Sequence, residues 1–406
     1  MSEWKEVSLS KIGKTITGKT PSSQYPEDFG DEIPFITPSD SFEKKYINKS
    51  DRFLSRSGSE RLKEKIISPN SIMVTCIGSA MGKVAKNSVP SVTNQQINSI
   101  IVNENFDSDY IYYLLKNNYA VLRNAASGST AIPILNKTDF DNLRFKVELD
   151  LNEQRKMVSI LSTIDDKIET NNQINQELEA MAKTLYDYWF VQFDFPDQNG
   201  KPYKSSGGKM VYNPELKREI PEGWGVEKLE NIAKITMGQS PKGTSYNEVG
   251  EGMLFFQGST DFGWRFPVAR QYTTEPSRIA EEDDILLSVR APVGTLNIAD
   301  TRCCIGRGLA AINSKVGANS YIFNVMQDFK KLFDMMNSVG TTFGSITKDD
   351  LYSLQLVYPP NELLMKFDQS VKSFDREIKN RSRQNQELTQ LRDWLLPMLM
   401  NGQVKV

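Results

Sequence analysis

The sequence predicts an α+β protein: two mixed α/β globules separated by two long antiparallel coiled-coil helices, the halves forming an internal pseudo-twofold repeat. Three observations predict it. A scattered set of residues recurs once along the chain, each copy opens with short apolar runs broken by turn residues, and each copy closes with a helix whose apolar positions keep a seven-residue spacing.

The repeat comes first, because a missed repeat misassigns the architecture. Trp4, Leu9, Ile12, Lys14, Gly18 and Pro21 recur without a gap as Trp224, Leu229, Ile232, Lys234, Gly238 and Pro241, an offset of 220. Small deletions then shorten the offset. Ser71-Ile72-Met73-Val74 answers Asp284-Ile285-Leu286-Leu287, and Gly128-Ser129-Thr130 answers Gly340-Thr341-Thr342. Lys137, Asp139, Phe140 and Leu143 answer Lys348, Asp350, Leu351 and Leu354 at an offset of 211. Near the end of each copy, Ile164-Asp165, Ile168 and Asn175-Gln176-Glu177-Leu178 match Phe374-Asp375, Ile378 and Asn385-Gln386-Glu387-Leu388 at 210.

Residues 1–150 and 223–360 are the two globules. Runs such as Ile33-Pro34-Phe35-Ile36, Ile72-Met73-Val74 and Ile97 to Val102, bounded by Gly, Pro, Asn and Ser, read as strands, with helices over Asp109 to Arg123 and Ser320 to Met336. Residues 151–192 and 361–406 are the long spacer helices. Counting three and four alternately from Leu161 gives Ile164, Ile168, Asn171, Asn175, Leu178, Ala182, Leu185 and Trp189, a coiled-coil seam with a polar middle. The second copy gives Val371, Phe374, Ile378, Arg381, Asn385, Leu388, Arg392, Leu395 and Leu399. At 1.5 Å per residue, about 35 to 40 residues make a rod of roughly 55 Å. Antiparallel pairing brings the polar centres of the two seams together, where Asn175 and Asn385 can fix the register. Residues 193–222, rich in Gly, Pro and Ser, read as a linker.

Composition narrows the chemistry. The 406 residues are 39% apolar and 25% charged, and no apolar run approaches the ~20 residues that span a bilayer. Met1 to Leu9 is polar and has no secretory cleavage pattern, so a cytoplasmic protein is expected, without membrane contact. Cys76, Cys303 and Cys304 form no CxxC pair, and disulfides are not expected. Histidine is absent, which removes Ser-His-Asp and Cys-His nucleophile arrangements and every histidine-ligated metal site; no metal is expected. A net charge of -2 and a pI near 5.7 provide no global basic field, so any nucleic-acid surface must be a local patch.

One catalytic signature matches in full. Gly13-Lys14-Thr15-Ile16-Thr17-Gly18-Lys19-Thr20 satisfies the phosphate-loop pattern, but that mechanism needs a helix beginning at the Lys-Thr. Pro21 to Pro26 is turn composition, and the second copy, Ala233 to Ser240, lacks the first Gly and the Lys. A nucleotide site is therefore not expected. Tyr358-Pro359-Pro360-Asn361 carries its amide on the wrong side for an amino-methyltransferase motif, and Glu43-Lys44-Lys45 and Glu281-Glu282-Asp283-Asp284 read as solvated turns rather than a nuclease centre.

Arg fits the O6/N7 edge of guanine, and Asn and Gln fit the N6/N7 edge of adenine. In the first copy the candidates for DNA contact are Lys83, Lys86, Asn94, Gln95, Gln96, Arg123, Ser129 and Lys137; in the second they are Arg265, Arg270, Arg290, Arg302, Arg307 and Lys348.

The two copies, their Asn-Gln-Glu-Leu helices, the Trp4 and Trp224 openings, Asn94-Gln95-Gln96, Arg307-Gly308-Leu309, Asn152-Glu153-Gln154, and Phe195-Pro196 through Gly207-Gly208 together resemble the specificity subunits of type I restriction-modification enzymes. The resemblance spans nearly the whole chain; the second helix departs from it at Asn361-Glu362-Leu363, which lacks the usual Gln. It implies two target-recognition domains, each reading one half of a bipartite, asymmetric double-stranded DNA target, and a chain that is not itself an enzyme. It also implies partners: two methyltransferase (modification) subunits that bring S-adenosylmethionine, and restriction/translocase subunits that use ATP and Mg. No cofactor is expected on this chain. The competing readings are a stand-alone phosphate-loop NTPase or nuclease, and a scaffold that binds protein.

Overall fold

The computed structural model describes residues 3–47, 49–125, 133–338 and 345–405. The chain divides into two compact units, Met1–Ile168 with Glu387–Val406, and Glu169–Gln386. Each unit thus takes one globule together with a piece of both long helices.

In the first unit Trp4–Ser8 pairs antiparallel with Arg144–Glu148, which closes the globule at its two chain ends. One five-stranded sheet runs Gly13–Thr17, Ile97–Val102, Ile72–Thr75, Val84–Asn87, Tyr46–Ile47, and the other runs Phe29–Gly30, Phe53–Leu54, Ile33–Ile36, Ser91–Thr93, Ile66–Ile67. The second unit has the same plan. Gly225–Lys228 pairs with Gln355–Tyr358; Ala233–Met237, Leu309–Ser314, Ile285–Ser288 and Leu296–Ile298 form one sheet; Tyr246–Asn247, Tyr272–Thr273, Met253–Phe256, Cys303–Ile305 and Ile279–Ala280 form the other. One parallel pair corresponds, Ser91–Thr93 with Ile33–Ile36 and Cys303–Ile305 with Met253–Phe256, whereas the parallel pair Tyr46–Ile47 with Val84–Asn87 has no counterpart among the described residues of the four-stranded sheet. Ile72–Thr75 and Ile285–Ser288 are buried at every residue, so these strands read as continuous apolar runs without alternation, as expected when both faces are covered.

The helix Ser108–Asn117 begins at Asp107, whose carboxylate accepts from the amides of Asp109 and Tyr110. Gln154, fully buried in the first turn of the long helix, accepts from the Asp107 amide (2.8 Å) and donates to the Glu148 carbonyl (2.7 Å). This amide joins the first turn of the long helix to the globule, where Met157, Val158 and Leu161 also pack.

The first long helix runs Leu151–Tyr186 and continues as a π-helical turn, Asp187–Val191; the second runs Asn361–Met400. Their stripes do pair antiparallel. In the first unit Met157, Val158 and Leu161 share a core with Leu396, Leu399 and Met400. In the second, Ala182, Leu185 and Trp189 share a core with Val371, Phe374 and Phe367, with the Trp189 and Phe367 rings 5.8 Å apart. The other seam residues, Ile164, Ile168, Leu178, Leu388 and Leu395, are buried or half-buried.

The segment 193–222 is folded rather than an open linker. Phe195 stacks on Tyr203 (4.6 Å) and Trp224 (5.2 Å), Asp194 accepts from the amide (2.7 Å) and hydroxyl (2.5 Å) of Ser205, and Met210–Asn213 pairs with Arg218–Pro221. Its glycines serve that packing: a Cβ on Gly208 would lie 2.5 Å from the Tyr203 ring. Aromatic density outweighs the Gly and Pro content that made the segment look like a connector.

Candidate nucleic-acid interface

In the first unit the strand Gly13–Thr17 ends at Gly18, where a Cβ would lie 2.2 Å from the carbonyl oxygens of Thr93 and Asn94. Only glycine permits this approach, and it brings the strand end against the turn Asn94-Gln95-Gln96. The Lys19 amide donates to the Thr93 carbonyl (2.9 Å), and the Thr20 hydroxyl donates to Gln95 Oε1 (2.6 Å). Asn94 is buried and shapes the turn, accepting from the Gln96 amide (3.1 Å) and donating to Gln96 Oε1 (3.0 Å). The neighbouring loop joins through the Cys76 amide, which donates to the Gln96 carbonyl (2.7 Å). That loop carries Lys83, paired with Glu43 (2.6 Å), and Ser79, whose carbonyl accepts from Arg123 (3.0 Å).

The second unit builds the same surface from different side chains. A Cβ on Gly238 would lie 2.2 Å from the Gly306 carbonyl, so again the strand end touches the turn, here Gly306-Arg307-Gly308. Ser240 accepts from Gln257 Nε2 (2.9 Å) and from the Arg307 amide (3.4 Å). Gly306 and Gly308 lie flat on Gln257, leaving Arg307 as the side chain that reaches solvent. The Val289 amide donates to the Gly308 carbonyl (2.9 Å), which brings the adjacent, exposed Arg290 to the same surface.

Two candidates do not belong to any surface. Lys86 is 1% exposed, bonded to Asp109 and to the Ser108 hydroxyl (3.0 Å), and burial pushes its ammonium below the ordinary value despite that pairing. Arg265, at 7%, is bonded to Glu179 (3.1 Å) and Asp375 (2.8 Å) of the two long helices. Buried cations survive only when paired, and these two are structural. Asn94 is likewise a shaper of the turn rather than an exposed reader. Lys137, Arg270 and Arg302 are exposed and form pairs with Asp141 (2.6 Å), Asp261 (2.8 Å) and Glu281 (3.2 Å), and the exposed Lys348 lies 4.9 Å from the Tyr352 ring. The Lys137 and Arg302 pairs lie at the surface, are worth about 0–1 kcal/mol and yield readily to a phosphate, whereas the Asp261 carboxylate that holds Arg270 is buried and costly to leave unpaired. Ser129 lies outside the described residues.

Lys19 is a further surface candidate on this face that the sequence-derived set omits. In the sequence it stands within the phosphate-loop pattern, yet Gly13–Thr17 is a strand paired with Ile97–Val102, and Lys19 emerges exposed beside the Thr20–Gln95 contact. The second copy, with Ala233 and Gln239 in place of Gly13 and Lys19, argues against the phosphate loop, but the exposure of Lys19 beside the turn is visible only in the fold.

In the helix seam, Asn171 donates to Gln384 and Asn385 (both 2.8 Å), Asn385 donates to Asn172 (2.8 Å), and Asn175 donates to Ser382 (3.4 Å). Arg381 donates to Asn171 (3.3 Å). With the 210-residue offset, Asn385–Asn172 and Asn175–Ser382 interchange, while Asn171–Arg381 maps onto itself. The contact is locally twofold about that last pair.

A family model for the type I restriction modification DNA specificity domain matches residues 1–180 and again 221–390. The MjaX type I restriction enzyme specificity subunit of Methanocaldococcus jannaschii is 33% identical over 306 residues, 73% of this chain and 68% of that protein. The MjaIX specificity subunit of the same organism is 28% identical over 425 residues, covering 100% of this chain and 94% of that one. In fold, the crystal structure of the type I restriction-modification system S subunit from M. genitalium matches with a TM-score of 0.59 at 16% identity, over 98% of this chain and 96% of that chain. With the specificity domain matched twice along its length and its strand plan repeated twice, the chain belongs to the type I restriction-modification specificity subunits.

Proposed function

We propose that this chain reads a bipartite, asymmetric duplex target, one half-site per recognition domain, and serves as the non-catalytic scaffold for modification and restriction subunits. One observation carries the reading: the same strand-end surface is built in both units, with Gln95 as a base reader beside Lys19 as a phosphate contact on one and Arg290 and Arg307 on the other. A shared frame with different donors is what reading two different sequences requires. Gln favours the adenine edge and Arg the guanine edge, so the half-sites differ. Adenine methylation, with S-adenosylmethionine, and ATP-driven translocation and cleavage, with Mg, belong to the partner subunits.

The decisive experiment is mapping methylated adenines in the source genome, together with binding by the complex of this chain and its modification subunits. The expected result is one motif of two unlike halves at a fixed spacing, bound with a steep dependence on salt. A continuous motif, or no duplex binding in the presence of modification subunits, overturns the proposal. Hydrolysis of nucleotide or cleavage of plasmid by the isolated chain would favour the stand-alone enzyme instead.

A further inference from the structure

Asp165 and Asp375 stand 210 residues apart, at the same position of the two long helices. Each carboxylate takes donors, but from different sources. In the first unit Asp165 accepts from Arg392 of the opposite helix (3.0 Å) and from the neutral Tyr113 hydroxyl of the globule (2.6 Å). The repeat equivalent of Arg392 is Ala182, which has no charge to offer. In the second unit Asp375 accepts instead from Arg265 (2.8 Å) and the Ser320 hydroxyl (2.9 Å), both of the globule. Arg265 also donates to Glu179 of the first helix (3.1 Å) and lies 3.9 Å over the Phe323 ring. One buried, planar guanidinium therefore ties the second globule to both helices. In the first unit the ion pair at this position joins helix to helix, and the globule contributes an uncharged hydroxyl.

We infer that Arg265 is a positioning residue: it holds the second recognition domain at a set angle on its helix pair and so determines how strictly target spacing is discriminated. The inference rests on the bipartite reading above. Each base pair added between half-sites moves the second by about 3.4 Å and turns it by about 34°. A domain pinned through two carboxylates resists that turn; a domain that swivels accommodates it. A guanidinium can face two carboxylates with separate N–H groups in a fixed plane, whereas an ammonium is a point charge without that geometry.

The test uses the full chain assembled with its modification subunits and duplexes carrying both half-sites at the native spacing, or one base pair longer or shorter. Arg265→Ala is expected to reduce the preference for native spacing about tenfold, a change of about 1.4 kcal/mol, while the ranking of half-site sequences is unchanged. Arg265→Lys is expected to restore that preference in part. Adding Ala182→Arg to Arg265→Ala gives Asp375 the helix-to-helix partner that Asp165 already has. It should recover the thermal midpoint but not the spacing preference, which separates positioning from stability. Wild-type spacing preference in Arg265→Ala, or its full recovery through Ala182→Arg, overturns the inference. A wild-type complex indifferent to the second half-site overturns the bipartite reading itself, and this inference with it.

Discussion

Arg307 owes its reach to its neighbours. Gly306 and Gly308 lie so close to Gln257 that any side chain there would collide with it, and the Arg307 guanidinium has no partner among the described residues. Arg307→Ala is expected to cost about 1–3 kcal/mol of binding and to relax specificity at one base pair. Lys19→Ala should weaken binding to all duplexes alike and lower the slope of log affinity against log salt by about 1, which a salt titration by fluorescence anisotropy reads directly. The cysteines yield an independent check of the fold. Burial pushes the thiols of Cys76 and Cys303 up to about 12, so at pH 8 both stay protonated in the folded chain; Cys304 is buried as well. A thiol reagent should therefore label the native protein slowly and the urea-unfolded protein at all three sites, and rapid native labelling would contradict this packing. At this scale the sequence specified residue types but not exposure. Lys86 and Arg265 look like Lys83 and Arg290 in a string of letters; only their burial in the fold tells them apart, since Lys83 also has a carboxylate partner but stays at the surface.

The long helices were legible because heptad spacing is a local property, and every seam position from Leu161 to Trp189 and from Val371 to Leu399 is buried or half-buried. Their partners were less so. Asn175 meets Ser382, and Asn385 meets Asn171 and Asn172, a stagger that spacing within one helix does not encode. Asn171→Leu would remove the donor to Gln384 and Asn385 and one acceptor of Arg381, which keeps its pair with Glu377 (3.4 Å), in a part-buried layer. Unpaired groups of this kind cost about 1–3 kcal/mol, so a lower thermal midpoint is expected, and an unchanged midpoint would show the layer to be dispensable. Shortening each long helix by four residues, about 6 Å, should change the number of unread base pairs while preserving both half-sequences, as read from the methylation pattern of the variant. An unchanged spacing would count against the helices as the ruler.

Across the whole molecule, the absence of histidine removes histidine-based catalysis, the near-neutral charge confines any nucleic-acid contact to local surfaces, and the repeat implies two of them. Gly18 and Gly238 show how far a repeat alone carries the argument. Their recurrence was visible, but its cause, a strand end pressed on a turn carbonyl, needed the fold. The sequence by itself determined the duplication, the long helices, their antiparallel sense and the family resemblance, because each is written in spacing and identity along one dimension. Tertiary structure alone decided the strand order, the folding of 193–222 around Phe195 and Trp224, which cations are buried, and which loops share a surface. Those depend on contacts between residues far apart in the chain, where the energy of a charge or a turn is set by what packs against it.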